Sequence, residues 1–349
     1  MEDIYSYSNG KKPEDWRKEY LQEPKKPRRT PKKQKYKKAK KGIGIKIIAV
    51  LLILVLLLAV GGGVFYFSKL SKIKRLDLNV DSDKWVDQDS LYQDKDVTNI
   101  MLIGIDRRSE EEKSRSDTMM LLSVDNKHKE LKMTSFLRDM WVEIPGKGEQ
   151  RLNAAYAYGG PELLLDTIEY NFKVRVDRVA VVDFTAFEKV INILGGVEVE
   201  LTEKEAKFMH DTLQMNVQAG PTKFNGDEAL WYCRIRKLDS DFGRTTRQRK
   251  LMTAVVDSSR DAGIFKLNDM IDNVLPLIET NLTDTEITQL GLGYVTKYAK
   301  YEVGQFSVPA DGTWWDKKVN KAQVLGIDLE KNQKLLYDFI YGDAVKSKE

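Results

Sequence analysis

The feature that most constrains this chain is a run of 21 residues without a charge, IIAVLLILVLLLAVGGGVFYF, from Ile47 to Phe67. As an α-helix rising about 1.5 Å per residue it spans about 30 Å, the thickness of the hydrocarbon core of a bilayer. A cleaved signal peptide has a shorter apolar stretch that ends in a small-x-small site. Here Gly61–Gly63 are followed by Val64, Phe65, Tyr66 and Phe67. The run therefore predicts an uncleaved transmembrane anchor over 47–67.

Charge gives that anchor a direction. Residues 1–46 carry 16 Lys/Arg against 6 Asp/Glu, although the whole chain is only +4, so the remainder is acidic by six. A basic cluster on the N-terminal side of a span predicts a cytoplasmic tail and sends residues from about 70 outward, as in a single-pass protein of the cell membrane. The tail, EPKKPRRTPKKQKYKKAKK, also has the composition of a nucleic-acid arm. Its Pro/Lys pattern reads more simply as a disordered topology determinant beside anionic lipid, and no nucleic-acid partner is expected.

The residue inventory narrows the chemistry. One cysteine, Cys233, excludes an internal disulfide and a multi-cysteine metal site, and two distant histidines, His128 and His210, argue against a histidine metal cluster. Catalysis in such a chain falls to carboxylates, arginines or a bound metal.

Beyond the anchor, residues 68–96 read as a membrane-proximal stalk and 97–342 as one extracellular domain. NIMLIGID (Asn99–Asp106), TMMLLSVD and LKMTSFLRD have the apolar runs and spacing of adjacent strands, and DRVAVVDF and VEVEL are further strands. LNAAYAYGGPELLLDTIEYNF reads as two helical pieces about Gly159-Gly160-Pro161, and TAFEKVINILGG as an amphipathic helix with a glycine stop. This mixture predicts a layered α/β domain, a mixed sheet covered by helices on both faces.

Charged residues cluster at the ends of these elements. Asp106 and Asp117 close and open neighbouring strands, which puts two carboxylates within reach of one hard divalent cation. Arg115 precedes Asp117 in SRSDT, and Arg138 and Asp139 follow a third strand in FLRDM, where a plain ion pair explains them equally well. Arg151 and Asn153 stand before a helix, Asn153 as a candidate N-cap. CRIRKLDSDFGRTTRQR, from Cys233 to Arg249, carries five arginines. Arg234 and Arg236 precede a turn, and if Arg244 opens a helix then Arg244, Arg247 and Gln248 share a face, with Arg249 turned away. Guanidinium forks in this density match a planar, multiply charged anion, and a carboxylate-held Mg²⁺ would bridge two phosphates; together they favour a pyrophosphate. Outside a membrane there is no ATP supply, which points to a lipid-linked one.

The motifs LIGID, RSDT, FLRD, RLNAAYAYGG, DFTAFEKVINILGGVEVEL and ALWYCRIRKLDSDFGRTTRQRKL, in this order, resemble those of the LytR-CpsA-Psr family of Gram-positive cell-envelope proteins. The resemblance implies an α-β-α sandwich with a hydrophobic tunnel for a polyprenyl chain. It implies a phosphotransferase that moves a glycopolymer, of wall teichoic acid or capsular polysaccharide type, from polyprenyl pyrophosphate to peptidoglycan. Carried over by motif, Asp106 and Asp117 would hold Mg²⁺. Arg115, Arg138, Arg234, Arg236, Arg244, Arg247 and Gln248 would surround the pyrophosphate, with Arg115, Arg138, Asp139 and Arg244 nearest the chemistry. AYAYGGPELLL and VVDFTAFEKVINIL are candidate tunnel walls. Two rival readings stand beside this one: an anchored sensor that binds envelope polyanions without turnover, and a hydrolase that passes the phosphoryl group to water.

Overall fold

The computed structural model describes residues 70–80, 84–105, 116–239, 241–260, 269 and 272–342, all within one compact unit, Ala39–Glu349. The basic tail and the apolar run 47–67 lie outside the described residues. Among those described, no helix is long and apolar enough to cross a membrane.

In chain order the strands are β1 (Lys74–Arg75), β2 (Val97–Ile105), β3 (Ser116–Asp125), β4 (Glu130–Phe136), β5 (Trp141–Ile144), β6 (Gly148–Arg151), β7 (Arg178–Asp183), β8 (Val197–Leu201), β9 (Gly220–Phe224), β10 (Glu279–Thr280), β11 (Glu302–Val308), β12 (Trp314–Val319) and β13 (Ala322–Ile327). The helices are α1 (Ala154–Phe172), α2 (Phe184–Leu194), α3 (Glu203–Leu213), α4 (Gly226–Arg234), α5 (Asp241–Arg260), α6 (Asp284–Thr296) and α7 (Leu329–Tyr341).

Seven strands form one mixed sheet in the order β1-β10-β7-β2-β3-β4-β11, with β2/β7 and β4/β11 parallel and β2/β3 and β3/β4 antiparallel. The continuous apolar run of β3 has the pattern of a strand buried on both faces. Met120, Leu122 and Val124 pack on one side against α2, α3, α4 and α5. Met119 and Leu121 pack on the other against α1 and α7. The expected mixed sheet with helices on both faces is thus what forms.

Three expectations differ. VEVEL buries Val197, Val199 and Leu201 and exposes Glu198 and Glu200, so it joins no central sheet and forms a one-sided hairpin with β9 instead. The described part of the expected stalk packs into the domain: Leu70 and Leu91 are buried, and β1 lies parallel to β10 at the edge of the sheet. Asn153 precedes α1 but its side chain makes no capping bond. Its backbone N–H donates instead to the Arg138 carbonyl, 3.2 Å away. The kink in α1 does fall at Gly159-Gly160, where Gly160 takes a φ of 64° that only glycine adopts cheaply.

A buried ion pair ties the sheet to α7. Lys132 Nζ donates to Asp125 Oδ2 at 2.8 Å and to the Ile340 carbonyl at 2.6 Å. Burial alone would raise the Asp125 carboxyl, but the bonds from the His128 N–H and from Lys132 hold it below its ordinary value. This contribution to stability is present above that value and fades as pH falls through the folded pKa. Asp125→Ala should cost about 3–5 kcal/mol by leaving Lys132 buried without its partner. Chemical denaturation at neutral pH checks this, and an unchanged midpoint would refute it.

Candidate pyrophosphate site

The sheet register brings the charged motifs together. Ile105 pairs with both Ser116 and Asp183, Ser135 with Met120, and Ser307 with Ser135. The C-terminal ends of β2, β4, β7 and β11 and the start of β3 therefore share one edge, where loops carry binding groups in open α/β sheets. β2 ends in a register shift at Gly104/Ile105, a bulge just before Asp106.

At this edge Asp117, Arg138, Asp139, Arg236, Asp241 and Arg244 form a chain of alternating charge. Arg138 Nη1 donates to Asp117 Oδ1 at 2.7 Å, its Nε lies 3.4 Å from Asp139 Oδ2 and its Nη2 lies 3.6 Å from Asp241 Oδ1. Arg236 Nη2 reaches the same Asp117 Oδ1 at 3.3 Å, and Arg244 Nη2 binds Asp241 at 2.9 Å. Arg151 Nη1 reaches Asp139 Oδ1 at 3.3 Å. The shared cause of this order is Coulombic: guanidinium groups this close need carboxylates between them.

The neutralisation is uneven. Burial would lower the Arg138 pKa, yet Asp241, Asp139 and Asp117 together hold it above its ordinary value. Arg244, only 3% exposed, goes the other way: burial and the nearby Arg138 and Arg236 pull it down despite Asp241. Burial likewise raises the Asp241 carboxyl. Arg244 Nε and Nη1 and Arg138 Nε are buried without a hydrogen-bond partner. The open donors on the under-neutralised Arg244 above all are what an incoming oxyanion satisfies.

Near this cluster lies a cavity, partly open to solvent, between the sheet and α2, α4 and α5. Its walls are apolar: Leu102, Met120, Val182, Phe187, Val190, Leu230 and Met252. Thr118, Asp183 and Gln248 bring it to the charged edge. The Arg234 guanidinium lies 4.2 Å from the ring centroid of Phe184, which also lines the cavity. The stretch VVDFTAFEKVINIL therefore does wall a cavity. AYAYGGPELLL does not line this one, because α1 buries Leu164 and Leu165 on the opposite face of the sheet.

Arg247, expected among the anion-binding groups, is turned into the protein and only 1% exposed. It forks Asp239 at 2.7 and 2.8 Å and donates to the Ile235 carbonyl at 2.8 Å, which clamps the turn that carries Arg236. Arg249, expected to turn away, instead donates to Ser307 Oγ at 3.0 Å near the end of β11, on the same edge of the sheet. Asp106 and Arg115 lie outside the described residues. Asp241, not singled out as a site residue in the sequence, joins Arg138 to Arg244. The i,i+3 spacing of Asp241 and Arg244 was the signal for it.

For a cation the described residues supply one carboxylate, Asp117, whose side chain is 23% exposed and whose bonds to described residues both fall on Oδ1. Among the described residues no group of three or more Asp, Glu, His or Cys is placed to hold a metal.

The arginine cluster and the apolar cavity thus lie at one end of the sheet, joined through neighbours such as Thr118 beside Asp117, an arrangement with room for an anionic head group on an apolar chain. The chain belongs to the LytR-CpsA-Psr family, whose model matches residues 64–338. It is 33% identical over 247 residues to regulatory protein MsrR of Staphylococcus aureus, covering 70% of this chain and 74% of that one. It is 32% identical over 281 residues to the polyisoprenyl-teichoic acid–peptidoglycan teichoic acid transferase TagU of Bacillus licheniformis, covering 79% and 89%. In structure it resembles YwtF (TagT) of Bacillus subtilis with bound octaprenyl pyrophosphate lipid, at a TM-score of 0.58 and 26% identity over 77% of this chain and 98% of that one.

A lysine ammonium has no planar fork to match both oxygens of Asp239 while also reaching the Ile235 carbonyl, so Arg247→Lys should destabilise the domain by about 1–3 kcal/mol. Calorimetry reads this directly, and an unshifted melting temperature would remove the clamp assigned to Arg247.

Proposed function

We propose that this protein transfers a glycopolymer from a polyprenyl-pyrophosphate carrier to peptidoglycan, as a phosphotransferase anchored in the cell membrane through residues 47–67 with its domain outside. The single observation that carries this reading is the apolar cavity opening beside Arg138, Arg236 and Arg244 with buried donors unmet. A polyanion sensor has no use for the cavity. The names of the relatives point the same way for TagU and TagT.

The prenyl chain occupies the cavity and the pyrophosphate lies against the arginines. The acceptor hydroxyl oxygen attacks the phosphorus that bears the glycopolymer, and the bond from that phosphorus to the bridging oxygen breaks. Polyprenyl monophosphate leaves with the electron pair, and the hydroxyl proton passes to the Asp139 carboxylate. The product is a phosphodiester on a muramic acid hydroxyl. Phosphoryl transition states spread charge over the equatorial oxygens, so pre-placed guanidiniums stabilise them without reorganisation. Asp117, with Asp106, would hold Mg²⁺, which supplies charge neutralisation at the phosphate oxygens when bound.

The test is full-length protein in nanodiscs with Mg²⁺, a polyprenyl-pyrophosphate disaccharide and peptidoglycan oligomers, read by mass spectrometry for the phosphodiester adduct. Arg236→Ala, at an exposed position, should lower transfer by about 10²–10³-fold with the fold intact. Near-normal turnover would sink the site, and lipid phosphate released at one rate with or without acceptor would mark a hydrolase. Val190→Phe narrows the cavity and should weaken carrier binding at least about tenfold. Carrier affinity is the measurement, and unchanged affinity would place the prenyl chain elsewhere.

A further inference from the structure

In-line displacement fixes the side from which an acceptor must come. The attacking oxygen stands opposite the leaving oxygen, and in the transfer proposed above the leaving oxygen carries the prenyl chain. That chain lies in the cavity on the face of the sheet covered by α2, α4 and α5. The acceptor therefore approaches over Arg138 and Asp139 from the other face, to which Met140, Val142 and Ile144 belong.

Two hairpins form the surface there. The Leu325 N–H donates to the Asp139 carbonyl at 2.9 Å, and Met140 bridges Leu325, so β12–β13 is fastened to the residue that follows Arg138. Trp314 packs on Phe242, with centroids 4.9 Å apart, and fixes the same hairpin to the first turn of the helix that carries Arg244. In β5–β6, Arg151 stands opposite Trp141 and reaches Asp139. Trp141 Nε1–H donates to Glu149 at 2.9 Å, and Lys317 Nζ lies 5.7 Å from the Trp141 ring centroid.

Trp315, two residues before Lys317 and so on the same face of β12, is 52% exposed. Its cross-strand partner is Gly326, where an added Cβ would come within 2.3 Å of the indole nitrogen. The indole thus lies flat over the glycine, held in orientation with one face open to solvent. With Trp141 and the Lys317 stem beside it, the half-exposed indole offers an apolar face edged by polar groups, the amphipathic surface that a sugar ring can stack on. From the backbone spacings its Cα lies no more than about 15 Å from that of Asp139.

We propose that the acceptor glycan strand lies along this strip, from Asp139 and Arg151 across Trp141 and Lys317 to Trp315. The indole faces receive the C–H faces of the sugar rings. Lys317 and Arg151 meet the carboxylates that peptidoglycan strands carry, and the reacting hydroxyl sits at the Asp139 end. The proposal rests on the transfer reading and names the partner surface of that same site.

The test measures transfer by the full chain in nanodiscs at saturating donor, with uncross-linked peptidoglycan glycan strands as the varied acceptor. Trp315→Ala should raise the acceptor KM about tenfold with kcat changed less than about threefold and the donor KM unmoved, and Trp315→Tyr should recover most of the loss. Lys317→Ala, on an exposed side chain, should raise the acceptor KM in the same direction and serves if Trp315→Ala fails to fold. An acceptor KM unmoved by both Trp315→Tyr and Lys317→Ala, or a loss confined to the donor KM, would overturn the strip. If the unaltered protein transfers to no acceptor, the transfer reading fails. Calorimetric titration of the same strands then decides the surface: binding lost in Lys317→Ala supports it, and equal or absent binding overturns it.

Discussion

Arg138 sits among three carboxylates, and the site depends on that arrangement. Asp117, Asp139 and Asp241 converge on it from the start of β3, the segment after β4 and the first turn of α5. Without those carboxylates the guanidiniums of Arg138, Arg236 and Arg244 would repel one another across a partly dry edge. With them, the cluster holds together and still leaves donors open on Arg138 and Arg244. A buried ionic network of this kind contributes little net stability, since desolvation offsets much of its attraction. Its value is positional, as it presents cations to a ligand at no cost of later reorganisation.

The scaffold that makes this possible is the sheet. β2, β4, β7 and β11 end on one edge because β2 is parallel to β7 and β4 to β11, while the intervening β3 runs the other way and begins there. The two faces of that sheet then do different work. One, under α2, α4 and α5, leaves an apolar cavity open at the charged edge. The other is filled by α1 and α7 and carries the two hairpins with Trp141 and Trp315. In the transfer proposed above, the donor takes one side and the acceptor the other, as in-line displacement requires.

Arg244 and Arg247 show how the same residue type divides its labour three positions apart. Arg244 is satisfied only in part and faces the edge. Arg247 gives both terminal nitrogens to Asp239 and the Ile235 carbonyl, leaving its buried Nε without a hydrogen bond, and so holds in place the turn from which Arg236 reaches Asp117. Helical spacing placed both on one face, but each guanidinium can swing through several ångströms on its side chain. What decides the direction is the nearest unpaired carboxylate.

The sequence by itself determined the elements and the chemistry: apolar runs with a period of two or 3.6 fix strands and helices through local burial. The clustering of Arg and Asp at their ends announces an anion site. The LytR-CpsA-Psr motifs, the strands of β2 to β4, the kink at Gly159-Gly160 and the cavity wall along α2 were all legible there. Only tertiary structure decided that residues 70–80 and 84–96 belong to the domain, that VEVEL leaves the central sheet, and that Asp241 rather than Arg247 completes the cluster. It alone also placed the β12–β13 hairpin against Asp139. The physical reason is that composition and spacing report what a residue can bind. Which partner it meets is settled by long-range register and by the competition of nearby charges for one another, and neither is written in any local stretch of chain.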